Sequence, residues 1–174
     1  MYANKGRRQP TVAASRVIAV QPDPLDTYRA YVEALAREIL HLDATDDLTV
    51  EANGDIPIRL GSALYRISLL VQDPPLVRVW ARILDAVSHS ADLLEEINDL
   101  NRNIVSARVF FVRDDDAPTG RVIAATEIPA ATMDAGDLAY ACSIVASLAD
   151  WVDTVLMIRF GGRTAFTEGD GSTE

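Results

Sequence analysis

Few side chains in this chain are of a type and spacing that could do chemistry, and those present suit binding rather than reaction. His41 and His89 stand far apart, and neither has a second His or Cys at ligand spacing, so zinc binding and histidine acid–base catalysis lack a constellation. Each reads as a surface or capping residue. Asp114, Asp115 and Asp116 run together, but a calcium loop needs acids or amides at alternate positions, a central Gly and a closing Glu, and Gly120 falls in the wrong place. They read as a solvated hairpin turn. Phosphate-loop, Gly-x-Gly-x-x-Gly, Gly-x-Ser-x-Gly and Cys-x-x-Cys patterns are all missing from the sequence. Cys142 is the single cysteine and sits in an apolar helical run, which suits a small buried side chain. No catalytic residue, metal or cofactor is expected, and the chain does not read as an enzyme.

Two groups suit recognition. In a chain of net charge −10, strand alternation places Arg59, Arg66, Arg78 and Arg82 on one parity, with Trp80 between two of them. Guanidinium groups beside an aromatic ring can hold carboxylates or stack against another chain. The plainer alternative makes them the wet side of a half-covered sheet, paired with acids from elsewhere. Asn98 and Asn101 lie at i, i+3 near a helix end, where an amide donates and accepts at once. They either satisfy carbonyls at that end or hold the following strand or a guest backbone. Together these are the candidate partner-binding residues.

The elements that must position them follow from apolar spacing. Asp26 or Thr27 opens a helix running to about Leu42, with Tyr28, Val32, Leu35, Ile39 and Leu42 on one stripe. From Leu48 the period becomes two. Residues 48–52, the Asn53-Gly54-Asp55 turn and residues 56–60 predict a hairpin. Strands over 63–71 and 76–84 follow, separated by Pro74-Pro75, which makes a four-stranded antiparallel meander. Ile58, Leu60, Tyr65, Ile67, Leu69, Val77, Val79 and Ile83 fall on the face opposite the arginines. A second helix starts at a Ser88 or Ser90 cap and buries Leu93, Ile97 and Leu100; strands over 106–113 and 121–127 come next.

Residues 134–160 predict a long helix capped by Asp134 and left through Gly161 and Gly162. Ser143, Ser147, Asp150 and Thr154 form a narrow polar stripe, opposite Leu138, Ala141, Val145, Leu148, Val152, Val155 and Leu156. Tyr140, Ile144, Trp151 and Ile158 add a second apolar flank, so the helix needs two walls. A sheet supplies one, and the first helix or a second copy of the chain supplies the other. A homodimer is expected, with those four side chains at its interface. The segment is long enough to span a bilayer, but Asp150 and Asp153 within it, and no flanking cluster of Lys or Arg, argue against a membrane.

A hydrophobic fraction of 49% over 174 residues provides for one sizeable core. The charge of −10 argues against nucleic acid as a partner, since phosphate recognition rests on basic patches. Lys5, Arg7 and Arg8 precede an apolar run at 17–20 that is too short for a signal-peptide core, so a cytoplasmic location is expected. Residues 1–24 read as a flexible basic arm, 25–165 as the domain, and 166–174 as an acidic tail.

Several local words resemble the YbjN-like proteins and the wider class of type III secretion chaperones of the CesT kind. They are Gly54-Asp55-Ile56-Pro57-Ile58-Arg59, Leu93 to Asn101 with its Ile-Asn-Asp-Leu-Asn ending, Ala107 to Val112, and Arg159-Phe160-Gly161-Gly162. The resemblance spans roughly 25–165 and implies a small domain that commonly dimerises and holds peptide segments of client proteins. The expected fold is α+β, an antiparallel sheet with helices in the order α-β-β-β-β-α-β-β-α and at least two helices on one face. The expected function is a non-enzymatic, chaperone-like module that holds a client protein or peptide by sheet-edge pairing and by apolar and arginine contacts. The alternative is a regulatory subunit of the sensory-transduction type, or a scaffold, binding one folded partner.

Overall fold

The computed structural model describes residues 24–164, apart from 44, 61–62 and 116. The arm and the tail lie outside the described residues, except Pro24, with which α1 (Pro24–Ile39) begins. A first-turn proline suits a helix start because its fixed φ is already helical and its missing N–H would have had no partner there. The helix buries Val32, Leu35 and Ala36. It stops at Ile39 rather than Leu42 because His41 turns left-handed, at φ 54°, and the N–H groups of His41 and Leu42 close back on the carbonyls of Glu38 and Arg37.

Residues 48–52 are not a strand, contrary to expectation. The Glu51 N–H donates to the Asp55 carbonyl at 2.8 Å and the Gly54 N–H to the Glu51 carbonyl at 2.8 Å, while the Asn53 side chain bonds both the N–H and the carboxylate of Asp55. A tight turn has thus taken the backbone groups a ladder would need. The meander has three strands, β1 (Ile56–Leu60), β2 (Ala63–Leu70) and β3 (Leu76–Ser88), each antiparallel to the next. β3 outlasts its expected end at Leu84. Register shifts on either side of Leu84 place Ile83 and Leu84 side by side in the core, and this breaks the period of two that marks a strand in the sequence.

Ser90 caps α2 (Ala91–Asn103), its hydroxyl accepting from the Leu93 N–H at 3.1 Å, while Ser88 remains the last residue of β3. β4 (Arg108–Arg113) and β5 (Thr119–Pro129) form the second hairpin, and β5 inserts beside β3 to give the order β1-β2-β3-β5-β4. α3 (Ala135–Phe160) starts in a capping box between Asp134 and Asp137 and ends at Gly161, φ 67°. The two-residue β6 (Arg163–Thr164) then pairs with β3 at Leu84 and Asp85.

A single apolar cluster joins the buried faces of all three helices to Ile58, Tyr65, Ile67, Val77, Val79, Ile83, Val109, Val122 and Ala124. The three described helices therefore share one side of the sheet, as expected, and none of them covers the other. By length and composition alone α3 could cross a membrane, yet Leu138, Val145, Ala149, Val152 and Leu156 are fully buried within this fold.

Candidate functional site

Cross-strand register builds the uncovered face in rows. Pro57, Arg66, Trp80, Ala125 and Arg108 stand in one row, and Arg59, Leu64, Arg82, Ile123 and Phe110 in a row parallel to it. The strands thus bring Arg59, Arg66, Arg78, Arg82 and Trp80 onto one face, as alternation predicts. The Trp80 indole N–H donates to the Ser68 hydroxyl at 2.8 Å, which fixes the ring, and the Arg66 guanidinium lies 5.3 Å from the ring centre. Beside Trp80 is an open depression of about 360 Å³, lined by Ser68, Arg78, Phe110, Val112 and Ile123 among others.

Most of these arginines have acid partners, as the plainer alternative holds. Arg66 meets Glu51 at 3.0 Å, Arg78 meets Glu127 at 2.8 Å, and Arg82 meets Asp85 at 3.4 Å. The Arg82 Nε is buried without a hydrogen-bond partner among the described residues. Arg59 is exposed and has no ion-pair partner among them. The face is therefore a charged lattice around an aromatic centre, not a row of free cations. Phe110, Val112 and Ile123 are absent from the candidates read in the sequence. Their signal lay in the strand Arg108-Val109-Phe110-Phe111-Val112-Arg113, apolar on both parities and hence apolar on both faces.

Asn101 and Asn98 part company. The Asn101 amide donates to the Val109 carbonyl at 2.7 Å and accepts the Val109 N–H at 2.8 Å, so it holds the strand that follows its helix. Asn98 is exposed, and no described residue bonds its amide. His89 does have a partner: its Nδ1 lies 2.9 Å from Arg113 Nη2, and its ring packs on Phe111. On α3, Tyr140, Trp151 and Ile158 are 64%, 52% and 77% exposed, while Ile144 is half-buried against the core. Behind the sheet, burial pushes the Cys142 thiol up to about 12 and the Tyr65 phenol above its ordinary value, and the two side chains share a hydrogen bond. Among the described residues no three His, Cys, Asp or Glu side chains group to hold a metal ion.

An antiparallel sheet with an N-terminal, a middle and a C-terminal helix matches the type III secretion chaperone fold. The crystal structure of the ExsC–ExsE complex shows that fold, with a TM-score of 0.53 at 16% identity over 74% of this chain and 95% of that one. The Yersinia pestis type III secretion chaperone SycH, in complex with a stable fragment of YscM2, superposes at 0.49, with 14% identity over 71% of this chain and 98% of that one. YbjN from E. coli superposes at 0.44, with 14% identity over 78% and 90%. The chain belongs to the family of T3SS (YopN, CesT) and YbjN peptide-binding chaperones, TY-Chap1, whose model matches residues 26–168. A search of the curated proteins finds no match.

Proposed function

We propose that this protein is a cytoplasmic, non-catalytic holder of client segments, which it grips on the uncovered sheet face by apolar and arginine contacts, helped by backbone pairing at a sheet edge. The observation that carries the reading is the Trp80 ring, fixed by Ser68 and flanked by Arg66 and Arg78, beside a depression floored by Phe110 and Ile123 in a chain of net charge −10. Family membership supports a peptide as the guest. Two copies meet through Tyr140, Trp151 and Ile158, with Ile144 beneath them; the exposure of these side chains supports this.

Tryptophan emission tests the client face. In a Trp151→Phe variant Trp80 is the only indole left, so its emission reports that face alone. Acidic, aromatic-containing peptides selected from a random display library are expected to shift it, and Phe110→Ala or Arg78→Glu is expected to weaken the binding. Selected peptides that leave Trp80 emission unchanged, or that bind both variants as tightly as the parent, overturn the reading.

A further inference from the structure

The arginines of the open face differ in how well they are satisfied. Arg66 spends its side-on fork on Glu51: Nε lies 3.1 and 3.2 Å from the two carboxylate oxygens, and Nη2 lies 3.0 Å from one of them. Arg78 gives its Nε to Glu127 at 2.8 Å. Arg82, two residues along β3 from Trp80, has only the 3.4 Å contact of its Nη1 with Asp85. Its Nε and Nη2, which together form the fork that takes a carboxylate side-on, meet no acceptor among the described residues, and Nε is shut away from water as well. A buried donor without an acceptor is costly, so an oxygen that completes the fork is favoured. The Arg82 side chain as a whole is 37% exposed, so a guest reaches it from the open face.

Register places a second unsatisfied cation across from it. Arg59 of β1 lies opposite Leu64 of β2, and the pairing of Tyr65 with Ala81 sets Leu64 opposite Arg82, so the two arginines share a row with Leu64 between them. Arg59 is exposed and has no acid partner among the described residues. Beside this row is a hollow of about 100 Å³ lined by Leu64, Arg66, Arg82 and Asp85, which has room for a carboxylate group but not for a ring. Here the guanidinium groups of Arg59, Arg66 and Arg82 face only the carboxylates of Glu51 and Asp85, so a single negative charge balances the site. A phosphate dianion would exceed that balance and would press against Asp85. Same-face neighbours on a strand stand roughly 7 Å apart, so an anion held by Arg82 lies directly beside a side chain seated next to Trp80.

We propose that Arg82, with Arg59 across the row, is a carboxylate subsite that takes one Asp or Glu side chain of the guest segment beside the apolar side chain at Trp80, and that Arg82 gives up Asp85 to turn its fork toward that guest. The inference rests on the client-binding reading and adds to it the residue type that is read and the residue that reads it. The test uses the full chain carrying Trp151→Phe and a peptide selected on it, each acid of the peptide being replaced in turn by its amide. One such replacement is expected to weaken binding roughly tenfold on the parent and to change little on Arg82→Gln, because the fork and the carboxylate act as one pair. Arg82→Lys, which keeps the charge without the fork, should recover only part of the loss. The Arg82 Nε–H resonance is expected to move downfield on binding, while that of Arg66, already bonded to Glu51, stays in place. Losses that simply add, with an unmoved Arg82 Nε–H and a Trp80 emission that still responds, overturn the subsite and leave the face reading standing. Absence of any Trp80 response removes both. Tighter binding when phosphoserine replaces the acid would overturn the carboxylate assignment, and an equal Nε–H shift with acetate alone at the peptide's concentration would overturn the guest side chain as the occupant.

Discussion

Arg66 reaches from β2 to Glu51 at 3.0 Å while its guanidinium lies 5.3 Å from the centre of the Trp80 ring, so one side chain ties the turn before β1 to the open face of the sheet. Both partners are partly exposed, at 21% and 34%, and the ion pair therefore contributes no more than about 1 kcal/mol. The cation–π contact adds about 0.5–1 kcal/mol. Arg66→Ala is expected to cost about 1–2 kcal/mol in urea unfolding and to speed amide exchange at Gly54 and Asp55. Unchanged exchange there would show that the turn holds without the Arg66–Glu51 ion pair.

Gly120 lies opposite Arg113 at the start of β5, under the ring of Phe111. An added Cβ would come within 2.3 Å of the Val112 carbonyl oxygen and 2.5 Å of that ring. The ring in turn packs on His89. Gly120→Ala is thus expected to destabilise the protein by roughly 1–3 kcal/mol through overpacking and to displace Phe111, seen as shifted His89 ring resonances. Wild-type stability with unmoved His89 signals would refute this packing.

Most of the architecture was legible because burial on one face imposes a period. The period of two at Ile56 to Ile58 and Val77 to Ile83 matched the buried set, as did the 3.6-residue stripe of α3 except for the half-buried Val155. Misreadings came where local hydrogen bonds overrode the pattern. The Asn53 side chain and the Glu51–Asp55 bond turned 48–52 away from any partner strand, and the shifts around Leu84 hid the second half of β3. The arginine parity was visible, but the pairing of those arginines with Glu51, Glu127 and Asp85 was not, since each acid reaches its partner by a turn, a neighbouring strand or a bulge. The grip of Asn101 on Val109 depends on where α2 crosses β4, which spacing does not encode.

Asn101→Asp tests that grip directly. A carboxylate still accepts the Val109 N–H, but it faces the Val109 carbonyl with a second acceptor instead of a donor. One hydrogen bond becomes a repulsion in a part-buried setting, and the expected loss is about 1–3 kcal/mol at neutral pH. Asn101→Gln, with a longer reach, should recover part of it. Equal stability of all three proteins would mean the edge does not need the amide.

The flank on α3 predicts a concentration-dependent mass. Tyr140, Trp151 and Ile158 are exposed in one chain, and light scattering across a dilution series is expected to show a dimer dissociating on dilution. Trp151→Glu puts a charge at the centre of the flank and should weaken association by roughly a hundredfold, the size of an interface hot spot. It should leave the fold and Trp80 emission intact. A mass of one chain at every concentration would remove self-association from the account.

Tyr65 and Cys142 make stability fall in alkali. In the unfolded chain the thiol loses its proton near pH 9.0 and the phenol near 10.0. Burial keeps both protonated to higher pH in the fold, the thiol to about 12. Above pH 9 the unfolded chain therefore binds fewer protons than the native one, so stability is full below the unfolded value and declines as pH rises toward the folded one. The thiol alone sets a slope of roughly 1.4 kcal/mol per pH unit, and the phenol steepens it above its own unfolded value. Cys142→Ala separates the two contributions. Its cavity costs the same at every pH, whereas its missing titration flattens the decline between pH 9 and 10, so urea midpoints of variant and wild type should converge as pH rises. Parallel lines would mean that the thiol titrates in the fold as it does in water, and that α3 does not seal Cys142 against the sheet.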